Sequence, residues 1–65
     1  MFTEDYARSK AAILVRDHNA YRKMKYEAAC KDYRTALDNL IHFAGRKGWK
    51  ISYTVSRAGY ITLEN

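Results

Sequence analysis

The chain has 65 residues, carries a net charge of +5 and is 48% hydrophobic. A chain of this length buries only about 60% of the surface that its unfolded form exposes, so we expect one small domain over residues 1–65. The apolar content predicts a folded protein rather than a disordered one. A single Cys excludes an intramolecular disulfide. Because the chain has no long apolar run and no leader-like segment, we expect no membrane span, no signal peptide and a cytoplasmic location.

Residues 3–17 are predicted to form a first helix. Thr3 can serve as its N-cap, and Glu4 and Asp5 place negative charge in the first turn, where the helix dipole favours it. Phe2 precedes the cap, as in a hydrophobic staple. One face of this stretch is largely apolar and continues past residue 17: Tyr6, Ala7, Leu14, His18, Tyr21 and Met24.

A turn must interrupt the helical pattern, because a helix from Thr3 to Ala44 would be about 60 Å long. The first candidate is Asp17–Asn19, since Asp and Asn compete with a helix for backbone hydrogen bonds. Asn19 would then cap a second helix over residues 20–44. No Gly or Pro marks this position, so a later break near Cys30–Asp32 is the alternative.

Residues 26–44 carry the clearest pattern of the chain. Apolar side chains recur there at alternating steps of four and three: Tyr26, Cys30, Tyr33, Leu37, Leu40 and Ala44. This spacing keeps them on one face of a helix, so it predicts a long amphipathic helix. We expect Gly45 to end that helix.

After Gly48 the period changes to two. Apolar and polar side chains alternate from Trp49 to Val55, which predicts a half-buried strand over residues 49–55. The next residues suit a type I turn with Gly59 in the left-handed region. A return strand would occupy residues 60–64, with Ile61 and Leu63 facing inward. The predicted fold class is therefore α+β: two antiparallel helices, the second long and amphipathic, and a C-terminal β-hairpin packed on them.

The interval between Asp38 and Glu64 contains no acidic residue but several basic and aromatic ones. Cations neutralise phosphates, and flat rings stack on bases. The first functional hypothesis is therefore a small non-enzymatic nucleic-acid-binding protein with an accessory or regulatory role. The residues predicted to make the contact are Arg46, Lys47, Trp49, Lys50, Arg57 and Tyr60. A structural role is the competing interpretation, since basic residues complement a helix C-terminus and a strand Trp commonly packs in the core.

The second hypothesis is a protein-interaction module, such as an adaptor or an inhibitor of a larger protein, of the kind that phages and plasmids encode. Val15 and Tyr26 fall on the otherwise polar face of the first helical stretch if that stretch runs on, and Phe43 lies off the apolar face of the second. Surplus apolar and Tyr surface is typical of protein interfaces. The positive charge would steer the module to an acidic surface. A small core can also be completed by homodimerisation.

No pattern predicts catalysis. Cys30 lies on the apolar face of the second helix without a base placed to activate it, so it is predicted to be a buried, unreactive side chain. His18 and His42 are isolated, and no spacing resembles a metal motif. The chain lacks a Gly-rich phosphate loop and a strand–turn–helix nucleophile. We therefore expect no enzyme activity, no metal and no cofactor.

Overall fold

The computed structural model describes residues 1–64. Its elements are, in chain order, α1 (Glu4–Lys23), α2 (Glu27–Arg46), β1 (Ser52–Val55) and β2 (Ile61–Glu64). The two helices pack against each other as a helical hairpin, and the antiparallel β-hairpin packs on α1 through β2. The predicted α+β layout is confirmed. The two helices are equally long, at 20 residues each, so the prediction of a longer second helix is wrong. Helix α1 ends later than predicted, at Lys23, and α2 begins later, at Glu27.

The start of α1 follows the prediction. The Thr3 Oγ1 atom accepts a hydrogen bond from the Tyr6 N–H at 3.1 Å, and both acidic residues of the first turn are in place. The buried face of α1 consists of Ala7, Ala11, Leu14 and His18. Two members of the predicted apolar face, Tyr6 and Met24, are instead exposed.

The predicted position of the break between the helices is wrong in both of its versions. The first helix runs through Asp17–Asn19 without interruption, and the second runs through Cys30–Asp32. Asn19 does not cap a helix, because its amide is used across the fold. Its Nδ2 donates to the Ile61 carbonyl and its Oδ1 accepts from the Ile61 N–H, both at 2.9 Å.

The helices are instead separated at Met24–Tyr26 by a Schellman turn. The Tyr26 N–H donates to the Tyr21 carbonyl, and the Lys25 N–H donates to the Arg22 carbonyl, both at 3.0 Å. This pairing places one residue in the left-handed region, and here that residue is Lys25, with φ of 59°. Because Gly is the usual residue at such a position, the sequence carried no ordinary signal for this turn.

The second helix ends in the same kind of turn, this time with Gly in the left-handed position. The Trp49 N–H donates to the Ala44 carbonyl and the Gly48 N–H to the Gly45 carbonyl, both at 3.0 Å. Gly48 has φ of 84°. Helix α2 therefore continues through Gly45 to Arg46, two residues beyond the predicted end.

The core lies where the apolar faces of the helices meet the hairpin. From α2, Leu37 and Ala44 are buried, and from the C-terminal part Ile51 and Ile61 are buried. The half-buried side chains packed against them include Tyr33, Leu40, Ile41, Trp49, Tyr53 and Leu63. Tyr26, the first residue of the predicted apolar face, precedes α2 and is 60% exposed.

The hairpin pairs Val55 with Ile61 and Tyr53 with Leu63. Both strands are shorter than predicted, and Val55 is exposed rather than half-buried. The turn agrees with the prediction, since Gly59 has φ of 91° and its N–H donates to the Ser56 carbonyl at 2.9 Å. Within residues 1–64, neither helix is long and apolar enough to cross a membrane.

Candidate binding surfaces

The fold divides the predicted nucleic-acid site between two ends of the molecule. The Lys50 carbonyl accepts a hydrogen bond from Arg8 Nη2 at 3.4 Å, near the start of α1. The Ala58 carbonyl accepts one from Arg22 Nε at 2.8 Å, near the end of α1. The two arginines are fourteen residues apart, which is about 21 Å of helix. Arg46, Lys47, Trp49 and Lys50 therefore lie at one end, and Arg57 and Tyr60 lie at the other.

Trp49 is a packing residue in this arrangement. Its ring is half-buried against the core and lies 5.4 Å from the ring of Phe2, measured between centroids. A ring held in this way offers little free face to a base. The neighbouring cations Arg46, Lys47 and Lys50 are all exposed, and the ion pairs found within residues 1–64 do not include them.

An open apolar cleft lies beside these cations. It has a volume of about 560 Å³ and is lined by Phe2, Leu40, Phe43, Arg46 and Lys47; we call it the apolar cleft. The three α2 residues of this set, Leu40, Phe43 and Arg46, are spaced by three, so they project from one side of the last turns of the helix. Phe43 is 55% exposed, so about half of this large apolar side chain is not covered by the rest of the chain.

The far wall of the apolar cleft is Phe2, which precedes α1 in the chain. Its ring lies 5.9 Å from Tyr6 in an edge-to-face arrangement and contacts Trp49 on another side. The sequence indicated Phe2 only as a hydrophobic staple. Its pairing with Leu40 and Phe43 depends on how the two helices pack, so local spacing could not reveal it.

The three residues predicted as a protein interface do not form one surface. Phe43 lines the apolar cleft. Val15 is half-buried and packs against the core, so most of its apolar surface is used within the chain. Tyr26 lies seventeen residues before Phe43, at the opposite end of α2, which is a separation of about 26 Å.

A polar cavity of about 450 Å³ lies between the helices and the hairpin turn. Its lining combines three cations, two carboxylates and a buried imidazole: Arg22, Lys31, Arg34, Glu27, Asp38 and His18. The His18 Nδ1 atom lies 3.0 Å from Asn19 Oδ1, so this imidazole is part of the packing that holds β2. Sequence reasoning missed the cavity because its residues come from both helices and, through Gly59, from the hairpin turn.

Tyr53 links the hairpin to α2. Its hydroxyl donates to Asp38 Oδ1 at 2.5 Å. This hydrogen bond to a carboxylate raises the pKa of the Tyr53 hydroxyl above its ordinary value of 10.0, with burial acting in the same direction and the nearby Arg34 opposing it. The group is therefore a neutral hydrogen-bond donor at physiological pH.

Cys30 is half-buried, and its Sγ lies 3.8 Å from the His18 carbonyl. Residues 1–64 contain no cluster of three or more His, Cys, Asp and Glu side chains that could hold a metal ion. Comparison with protein-family models, with curated proteins and with solved structures gave no match. The function must therefore be argued from the geometry of the surfaces.

Proposed function

We propose that this protein is a small non-enzymatic interaction module that holds an acidic, amphipathic segment of a partner protein in the apolar cleft. The observation that carries the proposal is Phe43, a large apolar side chain left 55% exposed between Leu40 and the cations Arg46 and Lys47. Aromatic side chains in pockets with a charged rim are typical of the residues that dominate protein interfaces.

Burial of the exposed part of Phe43 would contribute substantially to binding. A phenyl side chain buries about 200 Å² when fully covered, so covering half of it removes about 100 Å² from water. At about 25 cal/mol per Å² this contributes about 2–3 kcal/mol. In the single chain this part of Phe43 remains in contact with water, so this free energy is gained only when a partner covers it.

The rim of the apolar cleft selects the charge of the occupant. The ion pairs within residues 1–64 do not involve Arg46 or Lys47. Carboxylates of a partner could therefore make charge-assisted hydrogen bonds with both side chains. The same rim disfavours a second copy of this chain as the occupant. A symmetric dimer places the same patch of both subunits together, which would bring like charges into contact.

Selection from a displayed peptide library tests this proposal. We expect the selected peptides to combine an aromatic or branched apolar residue with Asp or Glu. Phe43→Ser should weaken binding of a selected peptide by about 2 kcal/mol, or roughly thirtyfold. The matched control is Ile13→Ser, which removes another exposed apolar helix residue that does not line the apolar cleft. Peptides without acidic residues, or equal affinity for Phe43→Ser and the unaltered protein, would contradict the proposal.

Nucleic-acid binding is the second candidate, and the exposed cations Arg46, Lys47 and Lys50 at one end of the molecule favour it. The test is a salt titration of binding to labelled single- and double-stranded oligonucleotides. A double change, Lys47→Glu with Lys50→Glu, should remove about two phosphate contacts and lower the salt slope by about 2. Lys10→Glu, an exposed position on α1, is the control.

The two candidates are separated by Phe43→Ser. This change should weaken peptide binding roughly thirtyfold and leave a purely electrostatic affinity for oligonucleotides nearly unaltered. Oligonucleotide binding that disappears at modest salt for every variant would reduce the second candidate to general attraction by the net charge.

A further inference from the structure

A cluster of three tyrosines and one carboxylate lies at the helical turn, at the opposite end of α2 from the apolar cleft. Tyr21, Tyr26, Tyr33 and Asp32 line one open cavity of about 500 Å³, together with Ala28 and Ala29. Of these residues, the hypotheses drawn from the sequence use only Tyr26, as part of a protein interface.

The Tyr21 and Tyr26 rings form two walls of the cavity that meet at nearly a right angle. Tyr21 and Tyr26 are edge-to-face, with centroids 5.9 Å apart and an interplanar angle of 84°. Tyr33 is nearly parallel to Tyr21, at 20° and 5.5 Å. Two of the walls therefore present ring faces in different directions around one space.

The Schellman turn fixes this arrangement. It bonds the Tyr26 N–H to the Tyr21 carbonyl at 3.0 Å, and the two residues it joins are those whose side chains commonly make contact in such a turn. Tyr26 is nevertheless 60% exposed, so this contact leaves much of its surface open to a ligand. The fold therefore holds the backbones of Tyr21 and Tyr26 together in the absence of a ligand.

We propose that this cavity binds an alkylated ammonium group, such as a trimethylammonium. The face of an aromatic ring carries negative electrostatic potential and attracts a cation, and several rings around one cation form an aromatic cage. The Asp32 carboxylate adds a full negative charge to the same lining. Methyl groups suit the cavity because they lower the cost of removing the cation from water while the charge remains.

The cavity selects a cation although the protein carries a net charge of +5. Charges on exposed residues are screened over about 8–10 Å at physiological salt, whereas the rings and the carboxylate would be in direct contact with the ligand. The same chemistry occurs in two sources, a methylated lysine side chain of a protein and the choline headgroup of a lipid.

Titration by NMR with three probes tests the proposal: choline, a trimethyl-lysine peptide, and 3,3-dimethylbutanol, the uncharged isostere of choline. We expect the signals of Tyr21, Tyr26 and Tyr33 to shift on addition of either charged probe, with a dissociation constant on the order of 1 mM. The isostere should bind about tenfold more weakly, because it lacks the charge. The tighter of the two charged probes identifies the source.

Two variants test the aromatic ring and the carboxylate of the cavity separately. Tyr26→Leu keeps an apolar contact in the turn but removes an aromatic face, and Asp32→Asn keeps the shape but removes the charge. Each should weaken binding of the charged probes about fivefold or more. Tyr6→Leu, an exposed tyrosine outside the cavity, should not change it. Equal affinity for choline and its isostere, or unchanged binding in both cavity variants, would overturn the proposal.

Discussion

Lys25→Gly is predicted to stabilise the protein. Lys25 occupies the left-handed region, with φ of 59°, at the turn between the helices. A residue with a Cβ pays about 1–2 kcal/mol in this conformation, whereas Gly does not. Against this gain, Gly loses more backbone freedom on folding than Lys does, which costs about 0.5–1 kcal/mol. The net expectation is a gain of about 0.5–1 kcal/mol.

The assay is thermal and urea unfolding followed by circular dichroism. For a domain of this size, 1 kcal/mol corresponds to about 4–8 °C in Tm, so the midpoint should rise by about 2–8 °C. Lys25→Ala removes the same charge but keeps a Cβ in the left-handed region, so it should give little of this gain. Lys10→Gly, at an exposed position within α1, should destabilise by about 1 kcal/mol.

The turn after α2 provides the reciprocal test. Gly48 has φ of 84° and no atom lies within 4 Å of a Cβ placed there, so Gly48→Ala should cost about 1 kcal/mol through backbone conformation alone. A Lys25→Gly protein that is no more stable than the unaltered one, combined with a tolerated Gly48→Ala, would refute the reasoning about both turns.

Three further predictions concern the contacts that hold the hairpin. Gly59→Ala should destabilise by about 1–3 kcal/mol in urea unfolding, because φ is 91° and the new Cβ would lie 2.5 Å from Arg22 Nε. Asn19→Ala should cost about 1–3 kcal/mol, since a backbone N–H and C=O of β2 lose their partner; Asn19→Asp, which keeps only the acceptor, should not restore the full stability. Because the pKa of Tyr53 is raised, its hydrogen bond to Asp38 contributes fully to the free energy of unfolding below pH 10.0. This contribution is lost as the pH rises through the folded-state pKa. Stability measured from pH 9 upward should therefore fall less steeply in Tyr53→Phe, and an unchanged slope would contradict this.

The elements themselves follow from local sequence. The Thr3 cap with its acidic first turn, the apolar face that contains Leu37 and Ala44, and the left-handed Gly59 in the hairpin turn all depend on neighbours within a few residues. Helix period, strand alternation and cap chemistry therefore predict two helices and a hairpin in the right order. The fold class could be derived without tertiary information.

The position of the helical turn depended on contacts that local spacing does not encode. Asn19 has side-chain chemistry suited to a cap, but a partner on β2, forty-two residues later, uses both ends of its amide. Lys25 has no preference for the left-handed region, yet the packing of the helices places it there. A helix cap at Asn19 would contribute only about 1 kcal/mol. The two hydrogen bonds of its amide to the Ile61 backbone outweigh that preference.

The binding surfaces also depended on tertiary structure. The sequence identified Phe43, Arg46 and Lys47 as exposed candidates, but only the packing of Phe2 beside α2 makes them the sides of one cleft. The length of α1 separates Arg57 from Lys50, although their proximity in sequence suggested a single site. Composition and period determine which residues are available for contact. The distances among them are set by how the helices and the hairpin pack, because residues from different elements have no fixed spacing until those elements meet.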